Sequence, residues 1–105
     1  MKKILIKSIV VISLITVSTL SADVVKGQKL YMKKLKSKCN VSGSVIAGKH
    51  TESEWEDIRN SNKMKEEIKL LCPSVKDKSL KDKYIKHYYD FFKEYSSDSG
   101  NVPSC

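Results

Sequence analysis

The first 22 residues constrain this chain most, because they have the pattern of an export signal and leave only a small domain to fold. Three lysines precede an apolar run from Ser8 to Leu20, and the small residues Ser21 and Ala22 close the run. An uninterrupted apolar stretch of about 13 to 15 residues is shorter than the ~20 needed to span a bilayer. We therefore predict a cleaved signal peptide over residues 1–22, and not a membrane anchor, and a protein that is periplasmic or secreted.

Three cysteines follow the signal, in a remainder of about 83 residues. A core of that size contributes only a few kcal/mol of net stability, so a covalent link is expected. An oxidising compartment lets two of Cys39, Cys72 and Cys105 pair. Both spacings are 33 residues, so loop-closure entropy does not choose between neighbouring pairs. Because Cys39 and Cys72 each end a predicted helix, we predict that they pair. Cys105 then stays free or bonds to another molecule, unless the tail folds back and joins it to one of the two.

The remaining residues have the pattern of one helical domain over residues 23–96, followed by an irregular tail over 97–105. Apolar residues recur at helical spacing from Asp23, a candidate N-cap, to Lys38. Residues 40–50 have the composition of a loop. The tail is rich in Ser, Asp, Gly and Pro, and such an ending usually frays.

A capping box marks the start of the second predicted helix. Thr51 and Glu54 have the spacing at which a hydroxyl and a carboxylate satisfy the free amide groups of a helix start. We expect Trp55 and Ile58 to be buried on this helix. His50, which directly precedes the cap, is expected to have a structural role.

The later helices are indicated by their ends and by their aromatic residues. A break is expected at residues 60–62, and Pro73 should stop the next helix at Cys72, because the residue before a proline disfavours the helical conformation. The last helix is predicted from Ser79 to Tyr95. It contains six of the chain's eight aromatic residues, which is typical of the main packing surface of a small core and not of a cofactor site.

The first and last helices are predicted to cross, because the two strongest apolar stripes lie at opposite ends of the mature chain. A glycine on the first helix would let the two backbones approach closely. The chain is therefore predicted to be all-α, a small helical bundle. The residues expected at the crossing are Gly27, Tyr31, Tyr88, Phe91 and Phe92.

No group of residues has the pattern of a catalytic site. Glu52, Glu54 and their acidic neighbours lie at a helix start, where the helix dipole favours negative charge without any chemistry. His50 and His87 have no nucleophile motif beside them and do not have the spacing of a zinc site. We expect neither an enzyme, nor a metal site, nor a tightly held cofactor.

Lysine dominates the charge of the mature chain. Without the three lysines of the signal, 17 basic residues face 12 acidic ones, a net charge of about +5. The lysines concentrate in residues 33–38 and again in residues 76–86. These runs indicate either an acidic partner or anionic membrane surface, or a solvated helix face, which is the commoner case. Nucleic acid is not expected, and neither is a membrane span after cleavage.

The segment Lys26-Gly27-Gln28-Lys29-Leu30-Tyr31, followed by Cys39, resembles the opening of class I cytochrome c. In that family a glycine and an aromatic residue of the first helix pack against the last helix. A longer pattern resembles short exported bacterial proteins with cytochrome-like names, some of them named as cytochrome c oxidase subunit III. The resemblance implies an orthogonal, cytochrome-c-like bundle associated with respiratory electron transfer. The longer pattern comprises residues 26–31, Cys39, residues 49–55, Cys72-Pro73 and residues 98–105.

The chain departs from cytochrome c at the haem. Covalent attachment needs Cys-x-x-Cys-His, whereas Cys39 is followed by Asn40-Val41-Ser42-Gly43. An oxidase subunit III would span the membrane several times, and no apolar segment after the signal is long enough. Noncovalent haem is the remaining alternative. Its candidate ligands are His50 or His87, with Met32 or Met64 opposite.

Two functions from different classes follow from the sequence. The first is a periplasmic cytochrome-c-like protein associated with respiratory electron transfer, without covalent haem. The second is a haem-free, disulfide-linked helical interaction module. In that case its lysine-rich surface would meet an acidic periplasmic protein or a respiratory component.

Overall fold

A computed structural model describes residues 22–101, so residues 1–21 of the predicted signal peptide, and residues 102–105, lie outside the described residues. The described residues form helices and no strand, which confirms the all-α class. No helix in this range is both long and apolar enough to cross a bilayer. In chain order the elements are α1 (Ala22–Leu30), a π-helical turn (Tyr31–Leu35), α2 (Lys36–Cys39), α3 (Gly43–Ala47), α4 (Glu52–Asn60), α5 (Met64–Leu71), a 3-10 turn (Asp77–Ser79) and α6 (Asp82–Glu94).

The first helix is continuous from α1 through the π-helical turn to α2, close to its predicted length. Asp23 lies inside the first turn of α1, so the prediction that it caps the helix is wrong. In the π-helical turn the Lys36 amide donates to the Tyr31 carbonyl, five residues earlier. The side chains of Tyr31 and Leu35, at the two ends of the widened turn, are both fully buried.

The predicted loop over residues 40–50 contains a short helix, α3, which corrects the sequence prediction. Ile46 and Ala47 are buried in the core. Gly43 lies directly against the Phe91 ring, since a Cβ there would be 2.6 Å from Cζ of Phe91. Tertiary packing stabilises this single turn, which has too few residues to be stable alone.

The capping box is present at the start of α4. The Glu54 amide donates to the Thr51 hydroxyl (3.2 Å) and the Thr51 amide donates to Oε1 of Glu54 (2.9 Å). Trp55 is fully buried as predicted, but Ile58 is only partly buried, because it packs against the core from its rim. The predicted break between α4 and α5 contains Asn62 in a left-handed conformation (φ 60°).

The last helix starts three residues later than predicted. Ser79 belongs to the 3-10 turn, Leu80 turns into the core, and Lys81 is extended before α6 begins. Burial of Leu80 therefore decides this boundary. Tyr88 and Phe91, together with Phe92, are fully buried on α6, which makes this helix the centre of the core.

The first and last helices lie in close contact where the sequence predicted them to cross. A Cβ on Gly27 would be 2.0 Å from the His87 carbonyl oxygen and 2.8 Å from Cβ of Phe91. The Tyr31 ring lies 6.0 Å from the Phe91 ring and 6.2 Å from the Phe92 ring, centroid to centroid. The absence of a side chain on Gly27 is what permits this approach.

Cys39 and Cys72 form a disulfide, as predicted, with their Cα atoms 4.7 Å apart. The bridge joins the end of α2 to the residue that follows α5. Cys72 is buried and Cys39 packs against the core. Cys105 is the cysteine left over, and it lies outside the described residues.

The first part of the tail is bound to the helical body. The Ser97 amide donates to the His50 carbonyl (3.0 Å), and the Glu52 amide donates to Oδ1 of Asp98 (2.9 Å). The Asn101 side chain donates to the carbonyl of Glu94 (3.3 Å). The expectation that the tail frays is therefore wrong for residues 97–101.

Candidate functional site

The two lysine-rich runs of the sequence meet at one tyrosine. Nζ of Lys34, on the first helix, lies 4.9 Å from the centroid of the Tyr84 ring, and Nζ of Lys83 lies 5.4 Å from the same centroid. Cations within about 6 Å of a ring are attracted by its π-electrons. Two further lysines are exposed and close to these two in sequence. Lys38 follows Lys34 by four residues on the first helix, and Lys81 directly precedes α6. We call Lys34, Lys38, Lys81, Lys83 and Tyr84 the Tyr84 surface.

The positive charge of the Tyr84 surface is not neutralised within the described part of the chain. Four other lysines, Lys65, Lys69, Lys86 and Lys93, do have carboxylate partners; Lys65, for example, lies 3.0 Å from Asp82, and Lys93 lies 2.8 Å from Glu56. Lys34 has no carboxylate oxygen within 4.0 Å among residues 22–101. The same holds for its three companion lysines, so this surface can accept carboxylates from another molecule.

The Tyr84 ring rests on the core and is therefore held in place. Its centroid lies 6.4 Å from that of Tyr88, which is fully buried and donates its hydroxyl to the Ser79 carbonyl (2.7 Å). Burial raises the pKa of Tyr88 well above its usual range, so the phenol stays neutral. Tyr84 and Lys34 are themselves half-buried, and Lys83 is exposed.

The His50 side chain contacts two helices, α4 and α5. Its Nε2 lies 2.7 Å from Oε2 of Glu67 on α5, and its Nδ1 lies 3.5 Å from Oε1 of Glu54 on α4. The ring packs edge-on against Trp55, with 4.8 Å between centroids. The Trp55 indole in turn donates to the Ala47 carbonyl (2.9 Å). The Thr51 amide, through its hydrogen bond, is the main cause that lowers the pKa of Glu54.

The four haem-ligand candidates lie in different surroundings. Both ring nitrogens of His50 already face carboxylates, and the His87 ring lies beside Asp23, with 3.4 Å from Nδ1 to Oδ1. Met64 is 2% exposed inside the core, whereas Met32 is 47% exposed.

The roles of two residues, Tyr84 at the lysine-rich surface and Glu67 beside His50, were not predicted from the sequence. Tyr84 packs partly against the core, as expected for the aromatic face of the last helix, but the sequence did not predict that lysines from both runs would meet at its ring. No local sequence pattern predicts the contact between Glu67 and His50, because the two residues are 17 positions apart.

Comparison of the chain with profiles of known protein families, with curated proteins and with solved structures found no match. The resemblance to cytochrome-like exported proteins therefore stays a prediction.

Proposed function

We propose that this protein is an exported, disulfide-linked helical interaction module that binds an acidic protein through the Tyr84 surface. The observation that carries the proposal is the convergence of Lys34 and Lys83 on Tyr84. These two lysines are almost fifty positions apart in sequence, and no carboxylate of the described residues neutralises them.

Lysine and tyrosine together suit a protein surface rich in carboxylates. Ammonium groups attract such a surface over about one Debye length and raise the association rate. The half-buried Tyr84 ring supplies an aromatic anchor of the kind enriched at interfaces. The ring holds both ammonium groups near one place, so less side-chain entropy is lost on binding.

The scaffold supports the proposal because it limits movement between the two halves of the surface. Lys34 belongs to the first helix and Lys83 to α6, and these helices are in close contact at Gly27. The Cys39–Cys72 bridge anchors the far end of the first helix to α5. A surface built from two helices thus keeps its geometry before a partner arrives.

The experiment is chemical crosslinking in a periplasmic extract of the native host, followed by mass spectrometry. The bait is either the wild-type chain or the double variant Lys34→Glu, Lys83→Glu. The matched control is Lys49→Glu, Lys63→Glu, which changes the net charge equally at two exposed lysines away from Tyr84. We expect an acidic protein to be crosslinked by wild type and control, to be lost with the first variant, and to dissociate as salt rises.

Equal crosslinking by the two double variants would overturn the proposal. Salt-sensitive binding of the wild-type chain to vesicles of anionic lipid, without any acidic protein partner, would assign the surface to a membrane instead. Circular dichroism of each variant checks that the fold is unchanged. Tyr84→Ala should weaken the crosslink as well, because the anchor is removed while the net charge stays the same.

Association with respiratory electron transfer is the second candidate function. The close packing of α1 on α6 at Gly27 is the observation that favours it, since the cytochrome c resemblance implies this contact. The test is the absorbance spectrum of protein purified from the native host. A Soret band would support haem binding, and its loss in His50→Ala or His87→Ala would identify the ligand. A spectrum without that band would leave only haem-free roles.

A further inference from the structure

We propose that Asp23, His87 and Asp90 form a binding site for a divalent transition-metal ion, with Zn²⁺ as its probe. One ligand atom from each residue, a ring nitrogen of the histidine and a carboxylate oxygen of each aspartate, lies within 4.8 Å of the other two. The site joins the first turn of α1 to α6. It shares no residue with the Tyr84 surface and does not rest on the proposed function.

The imidazole is the observation that points to a ligand. Nδ1 of His87 has less than 1 Å² of accessible surface and no hydrogen-bond partner among the described residues. The nearest anionic atom, Oδ1 of Asp23, lies 3.4 Å away. A buried nitrogen without a partner is costly, and a bound cation would satisfy it.

A cation already occupies the space between the two carboxylates. Nζ of Lys86 lies 2.6 Å from Oδ2 of Asp23 and 3.4 Å from Oδ2 of Asp90. The hydrogen bond from Lys86 is the main cause that lowers the pKa of Asp23. One ammonium neutralises only one of the two negative charges, whereas a divalent ion would neutralise both and use Nδ1 as well.

The donor set selects the class of ion. One imidazole nitrogen and two carboxylate oxygens suit first-row transition metals such as Zn²⁺, while Mg²⁺ prefers oxygen ligands only. Ligand atoms at about 2.0–2.2 Å from a tetrahedral Zn²⁺ stand roughly 3.5 Å apart, so the site must contract by about 1 Å. Asp23 and Asp90 are 46% and 26% exposed, and their side chains can rotate to achieve this contraction.

A shallow groove lies beside the two aspartates of the site and is lined in part by Asp23, Glu52, Asp90 and Glu94. Three carboxylates besides that of Asp23 line this groove, together with Lys86 and Lys93, so it attracts cations toward the site. On binding, Lys86 would leave the carboxylates and turn to solvent, since its side chain is half exposed.

The test is isothermal titration with ZnCl₂ on the untagged protein, expressed from its full sequence under oxidising conditions and stripped with EDTA. All variants carry Cys105→Ser, which removes a thiol that would bind zinc. We expect one Zn²⁺ per chain. His87→Gln and Asp90→Asn should each weaken binding roughly 10–100-fold, the loss seen even when only the partners of metal ligands are changed. His50→Gln is the matched control, because that histidine also faces two carboxylates, and it should leave the affinity unchanged.

Lys86→Met distinguishes a metal site from an ordinary ion-pair cluster. Removal of the competing ammonium should tighten zinc binding several-fold, and Zn²⁺ should raise the melting temperature of this variant more than that of the parent. Unchanged affinity in both His87→Gln and Asp90→Asn, or weaker binding in Lys86→Met, would overturn the proposal. If His87→Gln fails to fold, as circular dichroism would reveal, Asp90→Asn at its partly exposed position decides the result alone.

Discussion

At position 27 a methyl group has no room. Its carbon would stand 2.0 Å from the His87 carbonyl oxygen, a backbone atom that cannot rotate away. We expect Gly27→Ala to lower the free energy of unfolding by about 1–3 kcal/mol in denaturant titration, although alanine is the better helix former. Gly48→Ala is the control, since its nearest atom would be 3.1 Å away and the loss should be smaller. Equal stability of Gly27→Ala and wild type would mean that α1 and α6 do not pack closely there.

A second residue-scale prediction concerns Tyr88 and alkaline pH. Its pKa is raised by burial, so the folded chain holds this proton while the unfolded chain releases it near pH 10. The stability is therefore complete below about pH 10 and falls as the pH rises above it. In Tyr88→Phe this fall should be shallower than in Tyr89→Phe, whose ring is only half-buried. Chemical unfolding at several alkaline pH values measures the slopes, and equal slopes would contradict the assignment.

The start of α4 is determined by a local sequence signal, the capping box. The cap and its carboxylate partner are three residues apart, so their hydrogen bonds need no distant contact. We expect Thr51→Ala to cost about 1 kcal/mol of stability, with Thr51→Ser close to wild type because the hydroxyl is kept. Thermal unfolding measures both variants. A Thr51→Ser variant as unstable as Thr51→Ala would show that the methyl group, and not the cap, is responsible.

Most element boundaries with a local signal were predictable. The capping box, the break at residues 60–62 and the stop before Pro73 were all correct. The exception is the predicted cap at Asp23, which lies inside the first turn of α1. The other failures are α3 and the start of α6, and each depends on burial against another element. Gly43 lies on the Phe91 ring and Leu80 enters the core, and neither fact is encoded by neighbouring residues.

The stability of the whole molecule depends on the disulfide between Cys39 and Cys72. It closes a loop of 33 residues that contains α3, α4 and α5. Cys39→Ser should therefore lower the free energy of unfolding by about 2–5 kcal/mol, the usual loss in a small secreted domain. Cys105→Ser is the control and should keep the bridge and the stability.

Peptide mapping without reduction checks the connectivity directly. We expect a linked fragment that contains Cys39 and Cys72. A linked fragment that contains Cys105 and either of the other two, found in the monomer, would contradict the bridge and the prediction built on it.

The sequence by itself determined the features that depend on neighbours along the chain: an all-α class, a capped α4, helix ends at asparagine and proline, and an aromatic last helix. It also predicted the disulfide, because each partner cysteine lies at a helix end. Only the tertiary structure decided which charges meet. Lys34 and Lys83 share one ring, Glu67 contacts His50, and His87 lies near the carboxylates of Asp23 and Asp90. Helix packing brings these distant residues together at separations that no local pattern encodes.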